Sequence, residues 1–594
     1  MRTVLAYLKP HRRYMCLSLT IKVLGTMVEL ALPYILSHII QDVIKPMGAE
    51  VSPDLAAGSR RLVMWAGVMI VMWAVIMIIC AFLGVLGNVT ANRMAARTAK
   101  DVARAVRHDL FERTMRLSPA QTDAFTVESL ESRLTGDTYN IHQFINSIQR
   151  MGVRAPILLI GGLTITVTLD PVLTLVMVAV LPFIFIAVYG ITSRGLPLYT
   201  RVRGAVDSMT RVVREDAQGI RVIKALSKTD YECRRFDREN ASLAAVERKT
   251  NATMSVANPL MNLFMNLGIT AVVVVGAFRV NGGSSEPGKI IAFIQYFTLI
   301  SMAMMSVSRI FLIISKASAS ANRIEEVLLT PEDLSVKPES EYPRRAEEGI
   351  VFDHVSFGYN GSSKEVVNDI SFSLPKGGTL GIIGATGSGK TTLLSLLMRF
   401  YDVNEGSVRI DGRDVRTIPE HELHSMFGVA MQNDFICADT VEENINFGRG
   451  LGHGDIVRAA RIAQAEEYIE HFPEKYERML TANGTNISGG QRQRLFIARA
   501  IAARPQILVL DDASSALDYK TDAALRRALR DEIAAEGGSV VVVAQRVSSV
   551  MNSDLILVLD GGRLIASGTH DELMENCEVY REISRSQMGG AFLE

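Results

Sequence analysis

Residues 384–391 read Gly-Ala-Thr-Gly-Ser-Gly-Lys-Thr, the spacing G-x-x-x-x-G-K-[ST]. A short apolar run, Thr379-Leu-Gly-Ile-Ile, precedes it, and Thr392-Leu-Leu-Ser-Leu-Leu-Met follows. The pattern predicts a strand, a loop and the opening of a helix. Gly384, Gly387 and Gly389, with Ala385, Thr386 and Ser388 between them, let backbone N–H groups close around phosphate oxygens. The helix N-terminus, with Thr392 in its first turn, adds a favourable dipole. Lys390 is placed to reach β- and γ-phosphates, and the Thr391 hydroxyl to bind Mg²⁺. The chemistry predicted here is binding of a nucleoside triphosphate.

A second apolar strand, Ile507-Leu-Val-Leu510, runs into Asp511-Asp512. A carboxylate at a buried strand end beside a phosphate loop suits an Mg²⁺ ligand, and Asp511 takes that role. Between the two strands lies Asn486-Ile-Ser488-Gly489-Gly490-Gln491, which opens a helical run through residue 500. A Ser-Gly-Gly stretch at a helix start is a second potential anion site.

These residues occupy the C-terminal half of a 594-residue chain, too long for one domain. Hydrophobic residues make up 48% and charged residues 21%, with a mean hydropathy of +0.19. A soluble enzyme rarely averages hydrophobic, and a pure membrane bundle rarely carries so much charge. A membrane part joined to a soluble part accounts for both. Lys+Arg and Asp+Glu are each 63, which argues against a protein built to coat nucleic acid. Five scattered cysteines exclude a disulfide scaffold.

The hydrophobicity sits in the first half. Residues 62–92, 171–193 and 251–278 contain no charged side chain over 31, 23 and 28 positions. About 20 apolar residues span a bilayer. Weaker stretches at about 15–40, interrupted by Lys22 and Glu29, at 145–169 and at 290–308 bring the expectation to six spans. Basic residues flank the N-terminus (Arg2, Lys9, Arg12, Arg13) and the segment after the second span, whereas the Asp170-Pro171 turn has none. The N-terminus is therefore expected inside, and six spans return the C-terminal half to the inside. The start is not expected to be a cleaved signal, because its apolar run is too long and contains Glu29.

Two polar stretches, roughly 94–140 and 195–250, are too long to be simple connections. They predict helices continuing beyond the bilayer, each pair closed at a tip, near 118–126 and 227–236. The expected organisation is an all-α six-helix transmembrane domain over 1–325, a linker over 326–349 containing Pro331, Pro338 and Pro343, and an α/β P-loop nucleotide-binding cassette over 350–594.

Taken in order, these motifs resemble an ATP-binding cassette (ABC) transporter, and six spans before one cassette resemble a half-size ABC exporter. The resemblance covers essentially the whole chain. Leu130–Asp137 resembles the family's first intracellular loop and Gly219–Ala225 its second. The resemblance implies ATP and Mg²⁺ as cofactors, Ser488-Gly489-Gly490-Gln491 as the signature that faces a partner's ATP, and Tyr359 as the adenine-stacking aromatic. It makes Gln432 the Q-loop glutamine near Mg²⁺, Asp518 the D-loop aspartate, and the two helix tips coupling helices.

Three positions depart from the family. Asp512 stands where glutamate normally polarises the attacking water; its oxygens sit roughly 1.5 Å back on standard bond lengths. Gln545 stands where a switch histidine is normal; it donates a hydrogen bond but carries no charge. Ala482 stands where a glutamate is common. The pattern resembles the degenerate half of a heterodimeric bacterial multidrug exporter. The implied partner is a second ABC half-transporter that supplies the catalytic glutamate and histidine, while this chain's signature completes the partner's site.

The implied function is export of amphipathic small molecules, drugs or lipids, across the plasma (cell inner) membrane. Alternatives at this stage are a homodimeric lipid or peptide exporter with slow hydrolysis, and an ATP-gated channel or regulatory subunit. For the transport path the sequence offers Glu29, expected to meet cationic substrates or protons. It also offers the flexible thioethers of Met302 and Met305.

Overall fold

The computed structural model describes residues 2–44, 58–346, 349–359, 365–432, 434–534 and 537–588. Asn433, beside Gln432, lies outside the described residues, as do 347–348 of the expected linker and the last six residues of the expected cassette. The chain divides into two compact units, one of residues 1–115 and 128–330, the other of residues 116–127 and 331–594.

The first unit is helical. Among the described residues, six helices are long and apolar enough to cross a membrane: Thr3–Gln41, Gly67–Met115, Val127–Leu169, Pro171–Ala225, Thr229–Asn281 and Pro287–Leu328. Each overlaps one of the six expected spans. The Gly58–Met115 helix has 58 residues and Pro171–Ala225 has 55. At 1.5 Å per residue they run about 80–90 Å, far beyond a hydrocarbon core of about 30 Å. Apart from the breaks at the two tips, the polar stretches are thus helix, as their low Gly and Pro content predicts.

Local chemistry sets the turns. Asp170 caps the Pro171–Ala225 helix, accepting from the Val172 and Leu173 N–H groups at 3.0 and 3.3 Å. It also pairs with Arg279 at 3.1 Å. Bonds from the Leu173 N–H and from Arg279 outweigh burial for this carboxylate between the spans. Close packing follows small residues. A Cβ on Gly25 would stand 3.3 Å from the Asn88 nitrogen and 3.4 Å from the Gly84 oxygen.

The two tips differ. Around the first, Pro119–Phe125 is a separate short helix with Ser118 as its cap and Gln121 completing a capping box. The second expected tip, 227–236, is not a separate element. The chain turns over Leu226-Ser227-Lys228, with Ser227 at φ 52°, and the Thr229–Ser255 helix begins at once. Asp230 and Glu232 in its first turn favour that start. Residues 326–328, read from sequence as the start of the linker, are the last turn of the Pro287–Leu328 helix.

The second unit is α/β. Strands β1 (Ile350–Phe357), β2 (Val367–Leu374), β4 (Glu405–Ile410) and β5 (Arg413–Asp414) form an antiparallel sheet in the order β2-β1-β4-β5. Strands β3 (Thr379–Gly384), β6 (Phe427–Ala430), β7 (Ile507–Asp511), β8 (Ser539–Val543), β9 (Leu555–Asp560) and β10 (Arg563–Gly568) form the other, ordered β10-β9-β3-β8-β7-β6. The five strands from β9 to β6 run parallel. All five residues of β7 are buried, which is why it reads as an unbroken apolar run. The adjacency β3-β8-β7 puts the ends of these strands side by side. In parallel α/β sheets that edge is where ligands bind.

Candidate functional site

The phosphate loop leaves the end of β3 and enters the helix Lys390–Leu397. Gly389 stands at φ 95°, where a Cβ would meet the Val366 carbonyl oxygen at 2.9 Å. A Cβ on Gly384 would lie 2.2 Å from the Leu559 oxygen, so neither position accepts a side chain. The Lys390 ammonium lies within the loop, donating to the Gly384 and Ala385 carbonyls at 2.9 and 2.7 Å. Burial lowers its pKa; the carboxylates of Asp511 and Asp512 oppose that shift.

Thr391 Oγ1 donates to Asp511 Oδ2 at 3.0 Å, so the two expected Mg²⁺ ligands are neighbours. Asp511 is 2% exposed, and burial raises its pKa against the pull of Thr391 and Lys390. A hydroxyl and a buried carboxylate whose charge is poorly compensated are hard oxygen donors that fit a divalent cation. Among the described residues no group of three His, Cys, Asp or Glu side chains forms a separate metal cluster.

Asp512 follows β7 with φ 51°, and its N–H is held by the Val543 carbonyl at 2.9 Å. Its Oδ2 accepts from Gln545 Nε2 at 3.1 Å. The two substituted positions therefore bind each other. Burial raises the Asp512 pKa, repulsion by Asp511 adds to it, and Lys390 and Arg546 oppose.

The signature stretch is fully built. Ser488 caps the Gly489–Ala502 helix: its hydroxyl accepts from Gln491 N–H at 3.2 Å, and Gln491 Oε1 accepts from Ser488 N–H at 2.9 Å. A Cβ on Gly490 would lie 3.1 Å from the Ala516 oxygen, whereas Gly489 has space. Asp518 caps the Tyr519–Leu529 helix, taking 2.9 Å bonds from both the N–H and the hydroxyl of Thr521. Those bonds hold its carboxyl below the usual carboxylate range.

Tyr359 is half-buried, with its hydroxyl 3.1 Å from Thr392 Oγ1 and its ring edge-on to Tyr401 at 5.2 Å. It borders the loop helix without lying in the loop. Gln432 is exposed on the segment after β6. Glu29 and the two methionines lie in the other unit. Glu29 is ion-paired with Arg154, so the cation expected to be a substrate is supplied by the chain itself. Met302 is exposed, and Met305 packs partly buried against the helical core around Tyr296 and Phe297.

Three residues were not legible in the sequence. Gln493 bridges the signature helix to the D-loop, donating to Ser515 Oγ at 3.0 Å and accepting from Ala516 N–H at 2.9 Å. Gln587, on the Glu578–Met588 helix, brackets the switch segment. Its Nε2 donates to the Gln545 carbonyl at 2.7 Å and its Oε1 accepts from Val547 N–H at 2.8 Å. Arg546 lies over the Tyr519 ring at 5.2 Å and bonds the Ser515 carbonyl at 3.3 Å, which places a permanent cation beside Asp512. The signal for Arg546 was its place next to Gln545; Gln587 had none.

The first tip helix belongs to this unit. Ser118 Oγ donates to Asp333 at 2.7 Å, Gln121 Nε2 to the Pro331 carbonyl at 2.7 Å, and Tyr401 OH to Asp123 at 2.9 Å.

Residues 15–304 match the ABC transporter transmembrane region and 367–515 the ABC transporter cassette. An ABC transporter ATP-binding protein of Mycobacterium tuberculosis is 31% identical over 98% of this chain and 97% of its own length. The fatty acid ABC transporter ATP-binding/permease protein of Mycobacterium bovis is 30% identical over 83% of this chain and 78% of its own. The structure of a bacterial Atm1-family ABC exporter with ATP bound superposes with a TM-score of 0.77 at 23% identity, covering 97% of this chain and 98% of that one. With both halves matched in order and near-full-length relatives above 30% identity, the chain belongs to the ABC transporter family, as a half-size, multi-pass membrane protein whose cassette couples ATP hydrolysis to transport.

Proposed function

We propose that this chain is one half of a heterodimeric exporter of amphipathic small molecules in the plasma (cell inner) membrane, with its cassette in the cytoplasm. In this reading its own phosphate loop binds ATP that is hydrolysed slowly, and its signature completes the productive site of a second half-transporter. The observation that carries the reading is the 3.1 Å bond from Gln545 to Asp512. A base needs a free carboxylate oxygen within reach of the attacking water. Here the shorter aspartate gives one oxygen to a neutral amide, and burial weakens its charge. At the signature, Ser488 Oγ accepts from Gln491 N–H, which leaves its hydroxyl proton available to donate, and Gly489 and Gly490 carry no side chain.

Each residue then has a defined task. Backbone N–H groups of 385–391 and Lys390 bind the phosphates. Thr391, Asp511 and Gln432 would hold Mg²⁺, which supplies charge neutralisation at the phosphates. Tyr359 borders the loop helix as the adenine-stacking candidate. Gln493 ties the signature helix to the segment that follows Asp512, and Asp518 caps the Tyr519–Leu529 helix that comes next. The Pro119–Phe125 helix, covalently continuous with two long membrane helices, conveys cassette closure to the spans.

The deciding measurement is ATPase activity of the purified chain alone and co-produced with a second half-transporter that carries the glutamate and histidine. Low activity alone, restored by that partner and abolished by removing the partner's glutamate, supports the heterodimer. Full activity alone that is lost in Asp512→Asn overturns it in favour of a homodimer with aspartate as base.

A further inference from the structure

The membrane unit carries a charge imbalance. Lys22 lies inside the first span and is only 4% exposed. Its ammonium donates to Asn88 Oδ1 at 2.8 Å and Asn92 Oδ1 at 3.0 Å. The two asparagines stand four residues apart, on one face of the Gly58–Met115 helix. Both acceptors are neutral, and an ammonium has three protons to donate. Glu29, two turns further along the helix of Lys22, is the nearby carboxylate, but it is already paired with Arg154. Arg154, on the Thr138–Leu169 helix, is bound to that same Glu29 and brings a second cation to the cluster. Two cations therefore share one carboxylate.

Ionisable groups in a span face the bundle interior or a water-filled path, and they persist there only with partners. Lys22 cannot extend to the lipid headgroups, because its ammonium is fixed by two amides inside the unit. The nitrogen Nε of Arg154 is buried without an acceptor, and Glu29 Oε2 is buried without a donor. The cluster thus has spare donors on its cations and one spare acceptor.

We propose that Lys22 and Arg154 recognise an oxyanion head group, carboxylate or phosphate, on the transported amphiphile. The inference rests on the exporter reading and names its substrate class. Asn88 and Asn92 fix the ammonium in place, and Glu29 both orients Arg154 and takes a hydroxyl donor of the head group. This reverses the sequence expectation for Glu29: the carboxylate organises a cation instead of binding a cationic cargo.

The test uses the full-length chain in nanodiscs and four probes with the same twelve-carbon chain. Their heads are phosphate, carboxylate, hydroxyl and trimethylammonium; glycerol phosphate serves as the chainless control. Phosphate and carboxylate probes are expected to bind at least tenfold more tightly than the hydroxyl and ammonium probes. Lys22→Gln should remove that preference while leaving the hydroxyl probe unchanged, which also shows that the variant is folded. Arg154→Gln should weaken anion binding about threefold. Glu29→Gln should leave the anion preference in place. A ranking without head-group preference, or one led by the ammonium probe, overturns the inference. Glycerol phosphate binding as tightly as the phosphate probe keeps the oxyanion site and assigns it to a soluble anion.

ATP-driven movement of these probes into inside-out vesicles separates the two claims. Transport blind to the head group leaves the exporter reading standing and removes this one. Head-group-selective binding without ATP-driven movement does the reverse.

Discussion

Two edges of the cassette face nucleotide chemistry, and they are built to different standards. At the signature edge, Ser488 and Gln491 satisfy each other's backbone, and Gln493 locks the helix to Ser515 and Ala516. At the carboxylate edge, Asp512 is a methylene shorter than the family residue and is bonded to an uncharged Gln545. Both edges belong to one compact α/β unit, so the difference is not a matter of general stability. It lies in the side chains that touch reacting atoms. In the proposed heterodimer, one edge would serve the ATP of the neighbouring cassette, and the other would keep phosphate and cation binding without an effective base or a switch charge.

The largest test restores the weaker edge. The double variant D512E/Q545H is expected to raise ATP turnover of the chain alone by about 100-fold, within the usual range of a general-base contribution. ATPase assays at saturating ATP check this. An unchanged rate would mean that the two substitutions are not what distinguishes the edges.

Next in size is loss of function at the stronger edge. In the co-produced complex, Ser488→Ala is expected to cut turnover about tenfold or more, as for removal of one donor to a developing oxyanion. Asp512→Asn in the same complex should change turnover by less than about twofold, because a general base contributes only where it can act. Equal losses from the two variants would erase the asymmetry.

A third test concerns the bracket formed by Gln587. Its two hydrogen bonds hold the switch segment at Gln545 and Val547. Each is worth about 0.5–1.5 kcal/mol. Gln587→Ala should therefore lower kcat about three- to tenfold in the D512E/Q545H background, with KM for ATP unchanged. In the unaltered chain, where the switch position does little, the same substitution should leave turnover of the complex as it was.

The sequence made the local half of this site readable. The phosphate loop, Asp511-Asp512 and the signature are contiguous runs whose spacing alone carries the chemistry, and the six spans follow from length and apolarity. What it could not display are contacts between segments far apart in the chain. Gln587 reaches Gln545 across 42 residues, and Arg154 reaches Glu29 across 125. Glu29 was visible as an anomaly, but an anomaly does not name its partner. The second tip was misjudged for a different reason. A single serine in the left-handed region reverses the chain over three residues, leaving no room for the separate helix that the first tip has.

The smallest effect bears on how the two edges communicate. Asp518 follows both and has a structural task, capping the Tyr519–Leu529 helix through Thr521. Its pKa is lowered by those bonds. A carboxyl with a depressed folded-state pKa adds stability above its unfolded pKa and loses it as pH falls through the folded value. Asparagine keeps a cap oxygen without the charge. Asp518→Asn should therefore melt slightly below the parent at neutral pH, and the gap should close in acid, below the usual carboxylate range. Thermal melts of the purified chain at several pH values measure the gap. If turnover of the complex at pH 7 falls by far more than that small loss of stability explains, the carboxylate acts across the cassette pair and links the edges. If turnover stays level with stability, Asp518 is a cap alone, and the Gln493 bridge to Ser515 and Ala516 is what connects the signature to the segment after Asp512.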